Sequence, residues 1–266
     1  MPSKARSRSR LRTLVADIEG TLTDCSGRKS SEALLHRLGE LEGAGVCLVF
    51  CSGRSTAYQR ALRVKWGLDP DGPGVAENGC CIIWKGREYV TYDPRTFDRD
   101  ALVCYLVERG AGEIGEFDPD KRCAVTLYPR GFMRGKDYLP ADIERMYCFL
   151  QKHLKGSSYG LFYTSASVEV LPAGVDKGAG LERLFALAGM DPCRTLFIGD
   201  GQNDIPAAKL VLRGGGKVGT PANAVLALKR LASHVAKEEF YRGALELLDR
   251  FFPENDNSRR AHGPAR

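Results

Sequence analysis

Short, wholly apolar runs closed by polar residues set the rhythm of this chain. "RTLVAD" (12–17) ends in Asp17, and "VCLVFC" (46–51) runs into Ser52-Gly53-Arg54. Runs without alternation predict strands buried on both faces. Between them Leu34, Leu38 and Leu41, with Leu35 alongside, recur at helical spacing, and Gly43 and Gly45 close the helix. Strand, helix and strand with short connections predict a βαβ unit, hence a parallel sheet covered by helices.

The last third repeats this grammar. Leu181, Leu184, Phe185 and Ala188 form a helical stripe, "TLFIGD" (195–200) a strand, and "DIPAAKLVL" (204–212) a helix. A short strand at Lys217–Gly219, a helix start at Thr220-Pro221, a strand at "HVA" (234–236) and a closing helix with Leu245, Leu248 and Phe252 complete it. Residues 84–171 differ. "EYVTYD" (88–93) and "CAVTLY" (123–128) alternate as half-exposed strands do, Leu139, Ile143, Met146, Tyr147, Leu150 and Leu154 make an amphipathic helix, and "GLFYT" and "SVEVL" are further strands. The expectation is an α/β fold: a Rossmann-like parallel-sheet core at 13–83 and 172–252, with an α+β module inserted at 84–171.

Composition changes this picture little. With 266 residues, 43% hydrophobic and 27% charged, the chain is long enough to bury a globular core. Its formal charge of +6 resides mainly in the arm at 1–12 and the tail at 253–266, both expected to be disordered, which leaves the body near neutral. The basic arm is therefore read as solvated, not as a nucleic-acid contact. No apolar run reaches the ~18 residues of a membrane span, and no signal peptide is legible, so a cytoplasmic location is expected. Nine cysteines without a CxxC pair and four histidines argue against zinc. Most of the thiols are expected to behave as small buried hydrophobes.

In open parallel sheets, ligands bind beyond the carboxyl ends of the strands. Three predicted strands end there in Asp17, Ser52 and Asp200, and Lys177 opens the helix before the third. Two acids, a hydroxyl and an ammonium in one crevice suit phosphoryl transfer. A carboxylate can attack phosphorus, a divalent cation on carboxylates offsets the charge, and Ser52 and Lys177 can hold the phosphoryl oxygens. Glu19, two residues beyond Asp17, stands where a general acid/base is needed. Arg54 reads equally as a substrate contact or a surface pair, and Asn78-Gly79 as a tight turn.

"DIEGT" (17–21), "SGR" (52–54), Lys177 in "GVDKGAGLERL" and "GDGQND" (199–204) occur in the order and spacing of the four motifs of the haloacid dehalogenase superfamily, whose phosphatases this chain resembles. The insertion is similar to a type C2 cap, and "AENGC" (76–80) to the segment leading into such caps. The likeness is to the archaeal phosphoglycolate phosphatase and sucrose-phosphatase-like branch. The resemblance implies Asp17 as nucleophile and metal ligand, Glu19 as acid/base with its carbonyl on the metal, and Ser52, Gly53, Lys177 and Asn203 on phosphate. It further implies Asp200 and Asp204 on Mg²⁺ and a small phosphorylated substrate, with phosphoglycolate the best guess. A sugar phosphate, mannosyl-phosphoglycerate or phosphomutase chemistry are the alternatives.

Glu19 departs from the pattern, since the family usually carries Asp there. One more C–C bond moves the carboxylate by about 1.5 Å, and misplacement on that scale can cost about 100-fold in rate. A catalytically impaired binding protein is the corresponding alternative. Enolase-phosphatases of the same superfamily are similar at this spot, reading Asp-Ile-Glu-Gly-Thr, which makes Glu compatible with catalysis.

Overall fold

The structure, a computed structural model, describes residues 11–24, 27, 29–164 and 166–253. The disorder expected at 1–12 and 253–266 concerns mostly residues outside that set, but it fails at Leu11 and Arg12: Leu11 packs against the core, and Arg12 donates its N–H to the Arg194 carbonyl and accepts the Cys47 N–H, both at 2.8 Å. β1 (Thr13–Ala16) is followed by α1 (Glu32–Gly43), β2 (Cys47–Cys51), α2 (Thr56–Lys65) and β3 (Gly74–Ala76). β4 (Cys81–Trp84) and β5 (Arg87–Val90) lead through α3 (Arg99–Val107) and α4 (Ala111–Ile114) to β6 (Gly115–Phe117), β7 (Val125–Pro129), α5 (Pro140–His153), β8 (Gly160–Tyr163) and β9 (Val168–Leu171). The chain returns through α6 (Lys177–Ala188), β10 (Thr195–Ile198), α7 (Ile205–Arg213), β11 (Lys217–Thr220), α8 (Leu226–Lys229), β12 (His234–Val235) and α9 (Phe240–Phe251).

Eight strands form the larger sheet in the order β12-β11-β10-β1-β2-β3-β4-β5, parallel from β12 to β3. The alternation of each strand divides its side chains between two helical layers. Leu14 and Ala16, Leu48 and Phe50, and Leu196 and Ile198 face one side with Leu34, Leu38, Leu247 and Leu248 of α1 and α9. Val15, Val49 and Phe197 face the other, with Leu181, Leu184, Ala207 and Val211 of α6 and α7. The sequence order runs outward in opposite directions from β1 and β10, so the topological switch, where open α/β sheets bind ligands, lies between them.

The smaller sheet, β6-β7-β9-β8, is antiparallel. Val125, Leu127, Val168 and Val170 pack with Leu102, Leu106, Ile143, Met146 and Leu150 of α3 and α5 in a separate core. Thr126 and Glu169, paired across β7 and β9, point to the opposite face.

Three expectations need correction. β5, which overlaps the start of "EYVTYD", belongs to the larger sheet and not to the insertion expected to begin at 84, because Lys85 (φ 51°) and Gly86 (φ 71°) fold it back onto β4 as a tight hairpin. Alternation alone could not say which sheet it would join. No helix starts at Thr220-Pro221; the chain turns there, with the Ala224 N–H donating to the Pro221 carbonyl, and α8 begins at Leu226. That turn carries Asn223 to the crevice. Finally, Cys51, Cys80, Cys81 and Cys123 are buried, but Cys104, Cys148 and Cys193 are exposed. Among the described residues no helix is long and apolar enough to cross a membrane.

Candidate active site

The Asp17 N–H donates to the Ile198 carbonyl at 2.9 Å, which ties the exits of β1 and β10 together. The chain then turns through Gly20, whose φ of 77° favours glycine, and a Cβ there would lie 2.4 Å from Asp200 Oδ2. This close approach lets Thr21 Oγ1 donate to Asp200 Oδ1 at 2.8 Å. Asn223 Nδ2 donates to the Gly20 carbonyl (2.9 Å) and to Asp200 Oδ2 (3.2 Å). Asp200 is thus held by one residue of the "DIEGT" turn and one of the β11–α8 connection.

Lys177 is placed by the start of α6, where Asp176 accepts the Ala179 N–H at 2.8 Å. Its buried ammonium lies 2.9 Å from Asp17 Oδ1 and 2.7 Å from Asp204 Oδ1. The other oxygen of Asp204 accepts the N–H groups of Asp200 (2.9 Å) and Gly201 (2.8 Å). Burial works against the Lys177 charge, but Asp17 and Asp204 outweigh it and hold the ammonium above its ordinary pKa. Burial also raises the Asp17 carboxyl well above its usual range; Asp204 adds to this and Lys177 opposes it. For Asp200, burial and then Asp204 push the pKa up to about 7, against the Thr21 hydrogen bond and Lys177.

One oxygen of each of Asp17, Asp200 and Asp204 lies within 4.8 Å of the others. Asp17 Oδ1, for all its closeness to Lys177, accepts no aligned hydrogen bond among the described residues. A buried carboxylate oxygen with an ammonium nearby but no aligned hydrogen bond, beside two further acids, two of the three held in the protonated direction, fits a divalent cation with hard oxygen ligands such as Mg²⁺. Asp17 suits that role best, because its Oδ1 accepts no aligned hydrogen bond, whereas both oxygens of Asp200 serve Thr21 and Asn223 and both oxygens of Asp204 serve Lys177 and the backbone.

Glu19 stands apart from this cluster. Its carboxylate accepts from Ser52 Oγ at 3.0 Å and pairs with Arg54 Nε. Ser52, fully buried, also accepts the Arg54 N–H at 3.2 Å. Burial opposes the Arg54 charge, but Glu19 outweighs it and holds its pKa up. Asn203 Nδ2 donates to Asn78 Oδ1 at 3.0 Å, and Asn78 Nδ2 donates to Glu169 Oε2 at 2.6 Å. Asn78-Gly79 does form the expected turn, with Asn78 at φ 53° and Gly79 at φ 103°. The turn also presents the Asn78 side chain to both sheets.

The seam between the sheets is polar and largely buried. Glu77 accepts the N–H groups of Arg122 (3.0 Å), Cys123 (2.8 Å) and Ala124 (2.8 Å). Lys121 Nζ donates to the Gly53 carbonyl and, at 3.1 Å, to Thr126 Oγ1, with Glu169 Oε1 at 3.8 Å. Sequence reasoning missed Glu77, Lys121, Glu169 and Asn223. For Glu169 a signal existed, a lone acid in the middle of an apolar strand; for Asn223 there was none.

The haloacid dehalogenase-like hydrolase family matches residues 14–105 and 137–243. Among curated relatives, a phosphoglycolate phosphatase of Aeropyrum pernix is 29% identical over 244 residues, covering 90% of this chain and 93% of its own. One of Methanopyrus kandleri is 27% identical, covering 91% and 98%. Among solved structures, a Thermoplasma acidophilum protein superposes with a TM-score of 0.71 at 20% identity, covering 91% of this chain and 99% of its own. A Synechocystis sucrose-phosphatase, in complex with sucrose and phosphate, does so with a TM-score of 0.66 at 21% identity, covering 91% and 98%. A match that spans both halves of the larger sheet makes this protein a member of the haloacid dehalogenase-like hydrolase family.

Proposed function

We propose that this chain is a Mg²⁺-dependent phosphatase that hydrolyses a small phosphomonoester, phosphoglycolate before others, through a phosphorylated Asp17. The observation that carries the reading is the buried Asp17 carboxylate at the topological switch, its Oδ1 beside the Lys177 ammonium yet without an aligned hydrogen bond, with Asp200 and Asp204 around it. Family membership supports hydrolysis, and the names of the archaeal relatives, 25–29% identical, support the substrate.

In this reading an Asp17 oxygen forms a bond to phosphorus while the ester oxygen departs, taking a proton from Glu19. Glu19, now ionised, takes a proton from water; the water oxygen attacks phosphorus and frees Asp17. Lys177 neutralises charge on Asp17 and the phosphoryl oxygens, and Ser52, the Gly53 N–H and Asn203 donate to the same oxygens. Mg²⁺ on Asp17, Asp200 and the Glu19 carbonyl, with Asp204 behind, would offset the repulsion between the carboxylates and an incoming dianion. The domain division follows the same proposal: residues 13–90 and 172–252 as the catalytic core, and the module ending at 171 as its cap.

The Ser52 and Arg54 contacts of Glu19 favour one competing reading, a binding protein whose acid/base is tied up. Phosphate release from phosphoglycolate, sugar phosphates and an aryl phosphate, with Mg²⁺ or with EDTA, separates the two. Mg²⁺-dependent release that disappears in Asp17→Asn is the expected result. Release that survives Asp17→Asn would overturn the phospho-aspartate mechanism, and binding without release would favour the competing reading.

A further inference from the structure

We propose that Arg54 is a carboxylate subsite, selecting leaving groups that carry an anionic group one carbon from the ester oxygen. The inference rests on the phosphatase reading above and specifies its substrate class.

Arg54 is held at the Nε edge and on one face of its side chain. Its backbone N–H is bound to Ser52 Oγ, its Nε pairs with Glu19, and its face lies over the Tyr58 ring at 4.9 Å. Among the described residues neither Nη donates a hydrogen bond, and the side chain is 31% exposed. Two parallel N–H groups of a planar fork are therefore held ready at the mouth of the site, the geometry that binds a carboxylate bidentately.

Position specifies the ligand further. One Glu19 carboxylate touches both Arg54 Nε and Ser52 Oγ, so the guanidinium sits one carboxylate away from the hydroxyl assigned to the phosphoryl group. In this proposal an ester oxygen within reach of Glu19 would carry its first carbon toward the Nη edge of the guanidinium. A carboxylate on that carbon, as in phosphoglycolate, would meet both Nη groups. Lys121, a buried cation in the β6–β7 connection, is committed to the Gly53 carbonyl, Thr126 and Glu169.

The test compares phosphoglycolate with hydroxyethyl phosphate, the same skeleton with the carboxylate replaced by an uncharged alcohol. The native protein should prefer phosphoglycolate in kcat/KM by roughly 10- to 100-fold, the range for a charge-assisted hydrogen bond. In Arg54→Gln that ratio should fall toward one, and Arg54→Lys, which keeps the charge without the fork, should lie between. A ratio unchanged in Arg54→Gln, or equal losses on both substrates, would overturn the proposal and leave Arg54 as a support for Glu19 alone. Calorimetric affinities of both compounds for Asp17→Asn, with and without Arg54→Gln, keep the question separate from catalysis. Equal affinities in Asp17→Asn overturn the subsite whatever the turnover. An Arg54-dependent preference in binding, with no release by the native protein, sustains the subsite and sinks the phosphatase reading instead.

Discussion

Stripped of divalent cations, the protein should lose stability as pH rises, and Mg²⁺ should restore it in proportion. Asp200 has an ordinary value of 3.8 and stands at about 7 in the folded chain. Below about pH 4 both folded and unfolded states keep this proton, and no difference arises. Between about pH 4 and 7 the unfolded chain releases it while the native chain retains it, so stability falls with rising pH; above that the loss is complete. One pKa unit corresponds to about 1.4 kcal/mol, which puts the ceiling for Asp200 near about 4 kcal/mol. Asp17 is displaced in the same direction. For a domain of this size about 1 kcal/mol moves Tm by about 2–4 °C, so a loss of about 2–4 kcal/mol amounts to about 5–15 °C. Thermal unfolding with EDTA or saturating Mg²⁺, from about pH 5 to pH 8, reads this out. The Mg²⁺ increment in Tm should grow across that range and flatten in Asp200→Asn. An increment of constant size would refute the assignment of these carboxylates to a cation site.

Three further changes probe other parts of the structure. Lys177→Met leaves Asp17 and Asp204 buried without their cation and should cost about 3–5 kcal/mol in urea unfolding at neutral pH; a loss below about 1 kcal/mol would mean that the triad is not electrostatically coupled. Glu77→Ala strands the N–H groups of residues 122–124 and should cost about 3 kcal/mol or more, detectable as a lower urea midpoint at unchanged m-value. Glu19→Gln should lower kcat by about 100-fold or more with KM little affected, and native kcat in that variant would remove Glu19 from proton transfer.

The strands of the larger sheet were legible because burial on both faces leaves an unbroken apolar run, as in "TLVA" and "TLFI", and a parallel sheet needs such runs. Asp17, Ser52, Lys177, Asp200 and Asp204 were legible for a related reason: they are polar where such runs stop or helices start. α2 was not anticipated, since its buried face includes Gln59 and Arg63. Arg63 is satisfied only in three dimensions, by the carbonyls of Leu48 and Pro73 and by the face of Phe50. Such compensation leaves no periodic trace. The direction of Glu19 was equally hidden, because a spacing of two residues fixes where a side chain starts but not which of two neighbours, Asp200 or Arg54, it will meet. Lys121 is remote in sequence from every motif, and Glu169, though close before Lys177, sits on a strand of the inserted sheet; they meet Gly53 and Asn78, respectively, only because that sheet packs there.

The alternation in β7 and β9 has an evolutionary consequence. Val125, Leu127, Val168 and Val170 hold the smaller sheet to its helices, while Thr126, Tyr128 and Glu169 leave from the other face, beside Lys121 and Arg54. In the proposed reading, packing and substrate recognition are therefore written on alternate letters of the same strands. Replacements on the crevice side open no cavity in the hydrophobic layer; their cost runs instead through the polar seam, where Glu169 is buried against Lys121 and Asn78, so in this reading a change of substrate requires those partners to change together.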